Sequence, residues 1–145
     1  MADEELNVGL LMLIAYRSME DRIFAALADS GYGGITIAQG RILAQIGADG
    51  TRLTELAART QITKQTAGFL VDQLERGGFV ERVPDATDGR ARLVRLTARG
   101  QEGADFANSI AEQIQTEWSE HLGAGQMRAL RKALTRLREI TDPYA

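Results

Sequence analysis

TRLTELAARTQITKQTAGFLVDQLERGGFVERVPDATDGRARLVRLTARG, residues 51–100, contains the patterns from which the architecture of the chain follows. Its first half predicts two short helices with a tight corner between them. Thr54 is expected to cap the first helix and Thr63 the second, because a threonine hydroxyl accepts a hydrogen bond from an unpaired amide of the first turn. The first helix places Leu56 and Ala57 on its apolar side. The pattern therefore predicts a helix-turn-helix.

The second helix has one apolar face and a clear end. The face is formed by positions at i, i+3, i+4 and i+7, which are Ala67, Leu70, Val71 and Leu74. Gly77 and Gly78 follow and end the helix. A helix anchored in this way by its back face leaves its first turn exposed.

That exposed turn carries residues suited to a DNA major groove. Lysine donates to guanine or phosphate, glutamine forms two hydrogen bonds with adenine, and threonine contacts phosphate or a thymine methyl group. An ordinary solvated helix start is the alternative. We predict that the second helix is a recognition helix whose DNA-contacting positions are Thr63, Lys64, Gln65, Thr66 and Gly68.

A β-hairpin is predicted after the second helix. FVERV and RLVRLT are rich in strand-forming residues and are separated by PDATDG, in which Pro84, Asp88 and Gly89 favour a turn. Arg90 and Arg92 lie just beyond the predicted tip, where guanidinium groups suit the narrow minor groove. Asp88 is expected to brace one of them through a paired hydrogen bond. A solvated turn without DNA contacts is the alternative for these arginines.

The order and spacing of these pieces resemble the MarR family of bacterial transcriptional regulators. The matching segments are LTELAART, ITKQTAGFLVDQLERGGFVER and DGRARLVRLTARG, and the last contains the family's Asp-x-Arg wing signature at Asp88 and Arg90. The resemblance extends over nearly the whole chain. It implies a mainly α fold with a small β-hairpin wing, in which a winged helix-turn-helix is flanked by long dimerisation helices.

The resemblance also implies a domain organisation and a function. Residues 1–145 are expected to form a single domain, divided into an N-terminal scaffold at 1–50, a winged helix-turn-helix at 51–97 and C-terminal dimerisation helices at 98–145. The implied function is a homodimeric repressor that binds an inverted-repeat operator on double-stranded DNA. A small aromatic or lipophilic effector is expected at the junction of the DNA-binding and dimerisation helices. A winged-helix module for protein interaction, or a regulator without an effector, is the alternative.

Three residues are candidates for effector contact, and two further positions depart from the family pattern. Tyr16 and Trp118 have aromatic side chains at helical spacing, for which core or interface packing is the alternative. Gly40 stands at a position where related sequences usually have a bulky side chain. The glycine either opens space for a ligand or allows close helix packing. Gly68 and Phe69 stand where relatives commonly have a small hydroxyl and a basic residue. Phe69 is interpreted as packing against its own protein.

Long helices are predicted on both sides of the central stretch. They cover residues 4–29, 36–46 and 97–122, with a final helix beyond Gly123 and Gly125. Thr36 and Gln39 form the pattern of a capping box, and Thr97 is expected to cap the helix after the hairpin. The final helix has no Ser or Asp cap. Apolar residues on the outer helices exceed what one packing partner needs, so these helices are predicted to form the dimer.

Charge is distributed unevenly along the chain. The net charge of −3 argues by itself against binding nucleic acid, yet residues 51–100 contain nine Lys and Arg against six Asp and Glu. The remaining residues contain eight Lys and Arg against fourteen Asp and Glu. Because attraction to phosphate depends on the local field, the basic segment can face DNA while the acidic flanks face away. The modest local excess also favours two copies at each site.

Other function classes receive little support. The absence of cysteine excludes disulfides, zinc–thiolate sites and thiol-based peroxide sensing. His121 has only Glu117 and Glu120 nearby in sequence, so a surface histidine is favoured over a metal ligand. No phosphate loop or nucleophile elbow occurs, and neither an enzyme nor a cofactor is expected. The acidic start and the lack of an apolar run of about 18 residues predict a cytoplasmic protein without membrane contact.

Overall fold

The computed structural model describes residues 5–144. Six helices and one hairpin follow one another in the order α1 (Val8–Asp29), α2 (Ile37–Ala44), α3 (Leu53–Thr60), α4 (Lys64–Arg76), β1 (Val80–Asp85), β2 (Asp88–Leu96), α5 (Ala98–Leu122) and α6 (Ala124–Thr141). The two strands form a single antiparallel sheet. This mainly α architecture with a small hairpin confirms the predicted fold class.

Most of the predicted helix caps are confirmed. The hydroxyl of Thr63 accepts a hydrogen bond from the Thr66 amide at 3.1 Å, and that of Thr97 accepts one from the Gly100 amide at 3.1 Å. The capping box at α2 is complete, since the side chains of Thr36 and Gln39 each accept a bond from the other's backbone amide. These bonds satisfy amides that no helical carbonyl can reach.

Several predicted helix boundaries are wrong. Thr54 does not cap α3, because this helix begins at Leu53 and its cap position is Arg52, whose side chain makes no capping bond. α2 ends at Ala44 rather than near Ile46. Glu4, the predicted start of the first helix, lies outside the described residues; within them α1 begins at Val8, after Asn7, whose side chain accepts from the Leu10 amide.

The core lies beneath the helix-turn-helix. The apolar face of α4 is buried as predicted, and it packs with one residue of α2, two of α3 and three of the hairpin region; the cluster is Ile42, Leu56, Ala57, Ala67, Leu70, Val71, Leu74, Phe79, Val80 and Val94. Seven of these ten side chains are at most 2% exposed, and burial of that extent fixes the orientation of α4.

The hairpin is longer than predicted and its turn is tighter. Pro84 and Asp88 lie within the strands, and Ala86 and Thr87 alone connect them. A register shift occurs between Pro84 and Asp85. Thr51 pairs with Val94 through two backbone hydrogen bonds of 2.9 and 2.8 Å, which attaches the base of the hairpin to the start of the helix-turn-helix.

α5 begins in close contact with the hairpin. Gly100 faces the carbonyl oxygen of Phe79 so closely that a Cβ atom at position 100 would overlap it. The amide of Thr97 donates to the same carbonyl at 3.1 Å. At its other end, α5 is joined to α1 by an ion pair between Arg22 and Glu117. α5 is therefore tied both to the hairpin and to the N-terminal helix.

The outer helices leave large apolar side chains exposed. On α1 and just before it they are Leu6, Val8, Leu10, Leu11, Met12, Leu13, Ile14 and Tyr16; on α6 they are Leu130, Leu134, Leu137 and Ile140. α6 contributes no buried residue among those described. It begins at Ala124, so Gly123 alone separates it from α5 and the predicted second break at Gly125 is wrong. Between residues 5 and 144, no helix combines the length and apolar character that a bilayer span requires.

Candidate nucleic-acid interface

The predicted DNA-contacting residues at the start of α4 share one exposed surface. Thr63, Lys64, Gln65 and Thr66 are all exposed, while Ala67, the next residue, is completely buried. The Thr63 hydroxyl also donates to the Thr66 hydroxyl at 2.9 Å, which fixes both side chains at the helix start. Because the N-terminus of a helix carries partial positive charge, this turn suits an approaching phosphate.

Gly68 and Phe69 differ from each other in their surroundings. Gly68 is half-buried, and a Cβ atom there would lie 3.7 Å from Cδ2 of Leu53, which is an ordinary contact. Phe69 is 57% exposed. The expectation that Phe69 packs against its own protein is therefore wrong, because position 69 points away from the buried face of α4.

An ion pair with a buried carboxylate anchors the hairpin to the start of α3. Two nitrogens of Arg52 donate to one carboxylate oxygen of Asp85, at 3.1 and 2.8 Å. The other oxygen of Asp85 accepts from the amide and the hydroxyl of Thr87, at 2.9 and 2.8 Å. The Arg52 guanidinium first, and then the two bonds from Thr87, lower the pKa of Asp85 to about 2. Asp85 thus holds the turn and its guanidinium partner together.

Asp88 does not have the role that the sequence suggested. Its side chain accepts a hydrogen bond from the backbone amide of Arg90 at 3.1 Å, rather than from a guanidinium of the hairpin tip. Its other oxygen lies 3.8 Å from Arg52. The paired hydrogen bond predicted for Asp88 is made by Asp85, and the arginine it braces belongs to the helix-turn-helix instead of the hairpin.

The basic residues of the central stretch divide into paired and unpaired groups. Carboxylates neutralise four of them, through the pairs Arg52–Asp85, Arg59–Glu55, Arg82–Asp72 with Arg82–Glu75, and Arg95–Glu81. Within residues 5–144, Lys64, Arg90 and Arg92 form no salt bridge, and all three are exposed. Of the remaining two, Arg99 packs over an aromatic ring at 4.7 Å and Arg76 ends α4. Exposed cations without a salt bridge within residues 5–144 therefore include one in the first turn of α4 and two on the hairpin, besides Arg76 and Arg99.

Arg82 connects the hairpin to the recognition helix. Its two terminal nitrogens donate to Asp72 at 2.7 Å and to Glu75 at 2.9 Å, both on α4. Composition and spacing did not reveal Arg82, Arg52 or Asp85 as important, because their partners come from other elements. The only local signal was Asp85 followed two residues later by Thr87, a pattern typical of a side chain that closes its own turn.

A cavity of about 540 Å³ lies between α1, α2, the base of the hairpin and α5. Of the three effector candidates, Tyr16 and Gly40 line it, whereas Trp118 is not among its lining residues and lies half-buried further along α5. A Cβ atom at position 40 would overlap the ring of Phe24. The glycine thus allows close packing of Phe24, and the space that it vacates is filled by this ring.

One polar cluster interrupts the apolar wall of the cavity. Glu20 is 7% exposed and accepts from Arg41 at 3.2 and 3.1 Å and from the Tyr16 hydroxyl at 2.8 Å. Burial raises the pKa of Glu20, but the bonds from Arg41 and Tyr16 outweigh it, so the pKa is lowered overall. Burial and the Glu20 bond raise the pKa of the Tyr16 phenol. The cavity therefore contains a charged pair and a phenol donor at one side.

Comparison with known proteins agrees with this geometry. A sequence model described as the MarR family matches residues 33–91, which contain the helix-turn-helix and the hairpin tip. Over this segment the chain resembles the MarR family. Transcriptional regulators of this family have a winged helix-turn-helix, bind DNA and act as dimers.

The names of two curated relatives state opposite signs of regulation. The HTH-type transcriptional repressor Rv2887 of Mycobacterium tuberculosis is 26% identical over 134 residues, covering 92% of this chain and 95% of that protein. The transcriptional activatory protein BadR of Rhodopseudomonas palustris is 28% identical over 113 residues, covering 75% of this chain and 63% of that protein.

Solved structures share the fold over nearly the whole chain. The crystal structure of MarR superposes with a TM-score of 0.75 at 27% identity, covering 92% of this chain and 96% of that one. NadR in complex with 4-hydroxyphenylacetate superposes with a TM-score of 0.71 at 21% identity, covering 97% and 98%. The described helices and hairpin are thus those of the family's winged-helix fold.

We predict a pH dependence of stability that depends on Asp85. Its pKa of about 2 in the folded protein is lower than the ~3.9 of an unfolded aspartate. The ion pair therefore stabilises the fold fully above about pH 5, and this stabilisation disappears as the pH falls toward 2. Asp85→Asn should be less stable than the wild type at pH 7, and the difference in thermal midpoint should shrink between pH 5 and pH 2.

Asp88→Asn is the matched control, because this neighbouring carboxylate lies farther from Arg52. It should change the midpoint less at pH 7. Thermal profiles of wild type and Asp85→Asn that stay parallel from pH 7 to pH 2 would contradict the role assigned to Asp85.

Proposed function

We propose that the chain is a ligand-responsive repressor that binds an inverted-repeat operator as a homodimer, acting as one MarR-like domain rather than as an enzyme. The observation that supports this most directly is the placement of charge. Lys64, Arg90 and Arg92 are exposed and free of salt bridges within residues 5–144, whereas the ion-paired arginines of the central stretch hold the fold together. Two basic elements, a helix start and a hairpin, thus remain available to phosphates and bases.

The contacts follow from the two elements. α4 lies in the major groove, where Lys64 and Gln65 contact base edges and Thr63 and Thr66 contact phosphate. The hairpin lies against the adjacent minor groove, with Arg90 and Arg92 close to its negative potential. Asp88 fixes the backbone at Arg90 and so positions that side chain. Gly68 belongs to the proposed interface through its backbone alone, since a Cβ atom at this position would lie against Leu53 of α3.

We expect Arg90→Ala to weaken binding to all DNA sequences and to reduce the slope of log K against log salt by about one for each phosphate that the side chain neutralises. Gln65→Ala should instead cost ~1–3 kcal/mol at one operator position and relax specificity there. Fluorescence anisotropy with a duplex enriched from a random pool, at several salt concentrations, measures both effects.

Arg95→Ala is the matched control for Arg90, because Arg95 lies on the same strand but is paired with Glu81 at 2.6 Å. It should leave the salt slope nearly unchanged. An unchanged affinity of Arg90→Ala at every salt concentration would remove the hairpin from the interface. Lack of preference for any duplex over random DNA would favour a protein-interaction module.

The exposed apolar side chains support a homodimer formed by the outer helices. α1 and α6 together expose more large apolar residues than a solvated surface normally carries, and a second copy would cover both faces through a twofold axis. Such an axis places two copies of α4 on one face of DNA, about one helical turn apart. One winged helix alone would contact too few base pairs for operator specificity.

We predict that the wild-type chain is a dimer at micromolar concentration and that Leu130→Asp with Leu134→Asp yields a monomer, because buried unpaired charges oppose association. Sedimentation equilibrium measures the mass. Lys132→Asp, on the opposite side of α6, is the control and should remain dimeric. A stable monomer of the wild type would contradict the proposed assembly.

The cavity supports the proposal that a small effector binds to the protein. Its walls are mainly apolar, Arg41 and the Tyr16 phenol add polar groups, and the fold neighbour NadR holds 4-hydroxyphenylacetate. Occupation of a cavity that touches α1, α2 and α5 would shift the population of spacings between the two recognition helices, provided that the ligand binds one spacing more tightly. Tyr16 and Gly40 belong to this proposed site.

We expect an aromatic acid such as 4-hydroxyphenylacetate to stabilise the protein and to release DNA. At a hundredfold excess over Kd, the free energy of unfolding should rise by ~2.7 kcal/mol, which raises Tm by roughly 8 °C for this chain length. Ala107→Phe, which fills the cavity, should abolish the response, and Ala124→Phe outside it should keep it. A ligand that stabilises without releasing DNA would show binding without regulation.

A further inference from the structure

Phe69 occupies an unusual place on the recognition helix. The buried face of α4 contains Ala67, Leu70, Val71 and Leu74, and at 100° per residue the opposite side runs through Gln65, Phe69, Asp72 and Arg76. Phe69 is 57% exposed, although its neighbour Leu70 is only 9% exposed. The most outward line of the helix thus carries one apolar ring among polar side chains.

The Phe69 ring takes no part in the core or in the aromatic contacts of the described fold. Phe69 is absent from the core cluster, and between residues 5 and 144 the aromatic and cation–π contacts involve other side chains. Phe69 lies four residues after Gln65, which is about 6 Å further along the helix axis. This distance places it within the groove if the first turn of α4 contacts base edges.

The chemistry of the groove restricts what a phenyl ring can recognise. The ring has no hydrogen-bond donor or acceptor and no charge, so it gains nothing from phosphates or from the polar edges of the bases. The thymine 5-methyl group is the one apolar group that the base pairs present in the major groove. A phenyl ring at this depth therefore favours thymine over the other three bases.

We propose that Phe69 packs on the 5-methyl group of a thymine and thereby specifies that base in each operator half-site. The inference rests on the proposed DNA-binding role of α4 and adds a specificity-determining residue to it. It assigns Phe69 a function different from that of a basic residue at the same position. A basic side chain would strengthen binding to every sequence, whereas Phe69 selects among sequences.

Replacement of thymine by uracil isolates this contact, because uracil lacks only the methyl group and keeps the same pairing edge. The probe is a duplex that the wild-type protein enriches from a random pool, with thymines replaced by uracil in one symmetric pair of positions at a time. For one such pair, the affinity of the wild type should fall about fourfold for each half-site and roughly fifteenfold for both. Phe69→Ala should bind the thymine and uracil duplexes equally at that pair.

Two further measurements separate this role from general effects. Phe69→Ala should keep the wild-type salt slope, since the ring touches no phosphate, and should unfold at the wild-type temperature, since the ring is mostly exposed. Phe69→Leu, which keeps an apolar side chain, should retain part of the thymine preference. Gln65→Ala should keep the preference for thymine over uracil at the pair assigned to Phe69.

The outcomes distinguish this inference from the function on which it rests. Suppose that the wild type enriches a duplex and Arg90→Ala weakens binding, but that uracil does not change the affinity at any position. The Phe69 contact is then refuted, whereas the proposed DNA-binding function is still supported. A thymine preference that persists in Phe69→Ala, or a Phe69→Ala variant that changes dimer dissociation instead, also refutes it. If no duplex is enriched, the proposed DNA-binding function itself fails.

Discussion

Burial of one face of α4 controls the geometry of the whole winged helix-turn-helix. Ala67 and Val71 are completely buried and Leu74 nearly so, which leaves the helix a single orientation relative to α2, α3 and the hairpin. That orientation, and no property of the exposed residues themselves, directs Lys64 and Gln65 outward. Apolar packing is not directional, yet close packing at this density makes the exposed turn a rigid surface.

Electrostatic interactions refine the position that packing sets. Arg52 and Asp85 attach the hairpin to the start of α3, and Arg82 attaches it to α4. These arginines are structural, so the basic character of the stretch overstates its charge toward DNA. The effective field comes from fewer groups, so the proposed DNA contacts depend more on the geometry of the hairpin and on the proposed second subunit than on the total charge.

Periodic patterns in the sequence predicted most of the fold, whereas contacts between distant residues escaped them. The face of α4 and the threonine caps at Thr63 and Thr97 depend only on neighbours, and the structure confirms them. The cap predicted at Thr54 was wrong, because the N-cap is the residue just before the first helical residue. Packing decides where that first residue lies. The sequence pattern indicated Asp88 as the bracing carboxylate and did not reveal the pairing of Asp85, because its partner Arg52 lies 33 residues away. The exposure of Phe69 likewise required the orientation of the helix.

The tight junction between the hairpin and α5 has a mechanical consequence. Gly100 lies against the Phe79 carbonyl, and Thr97 donates to that same oxygen, so this contact would be the pivot for any tilt of α5. α5 is a helix of 25 residues, roughly 37 Å long. A tilt of about 5° at the pivot would displace its far end by roughly 3 Å. Phe79 and Gly100 also line the cavity, so whatever fills that space presses directly beside the pivot.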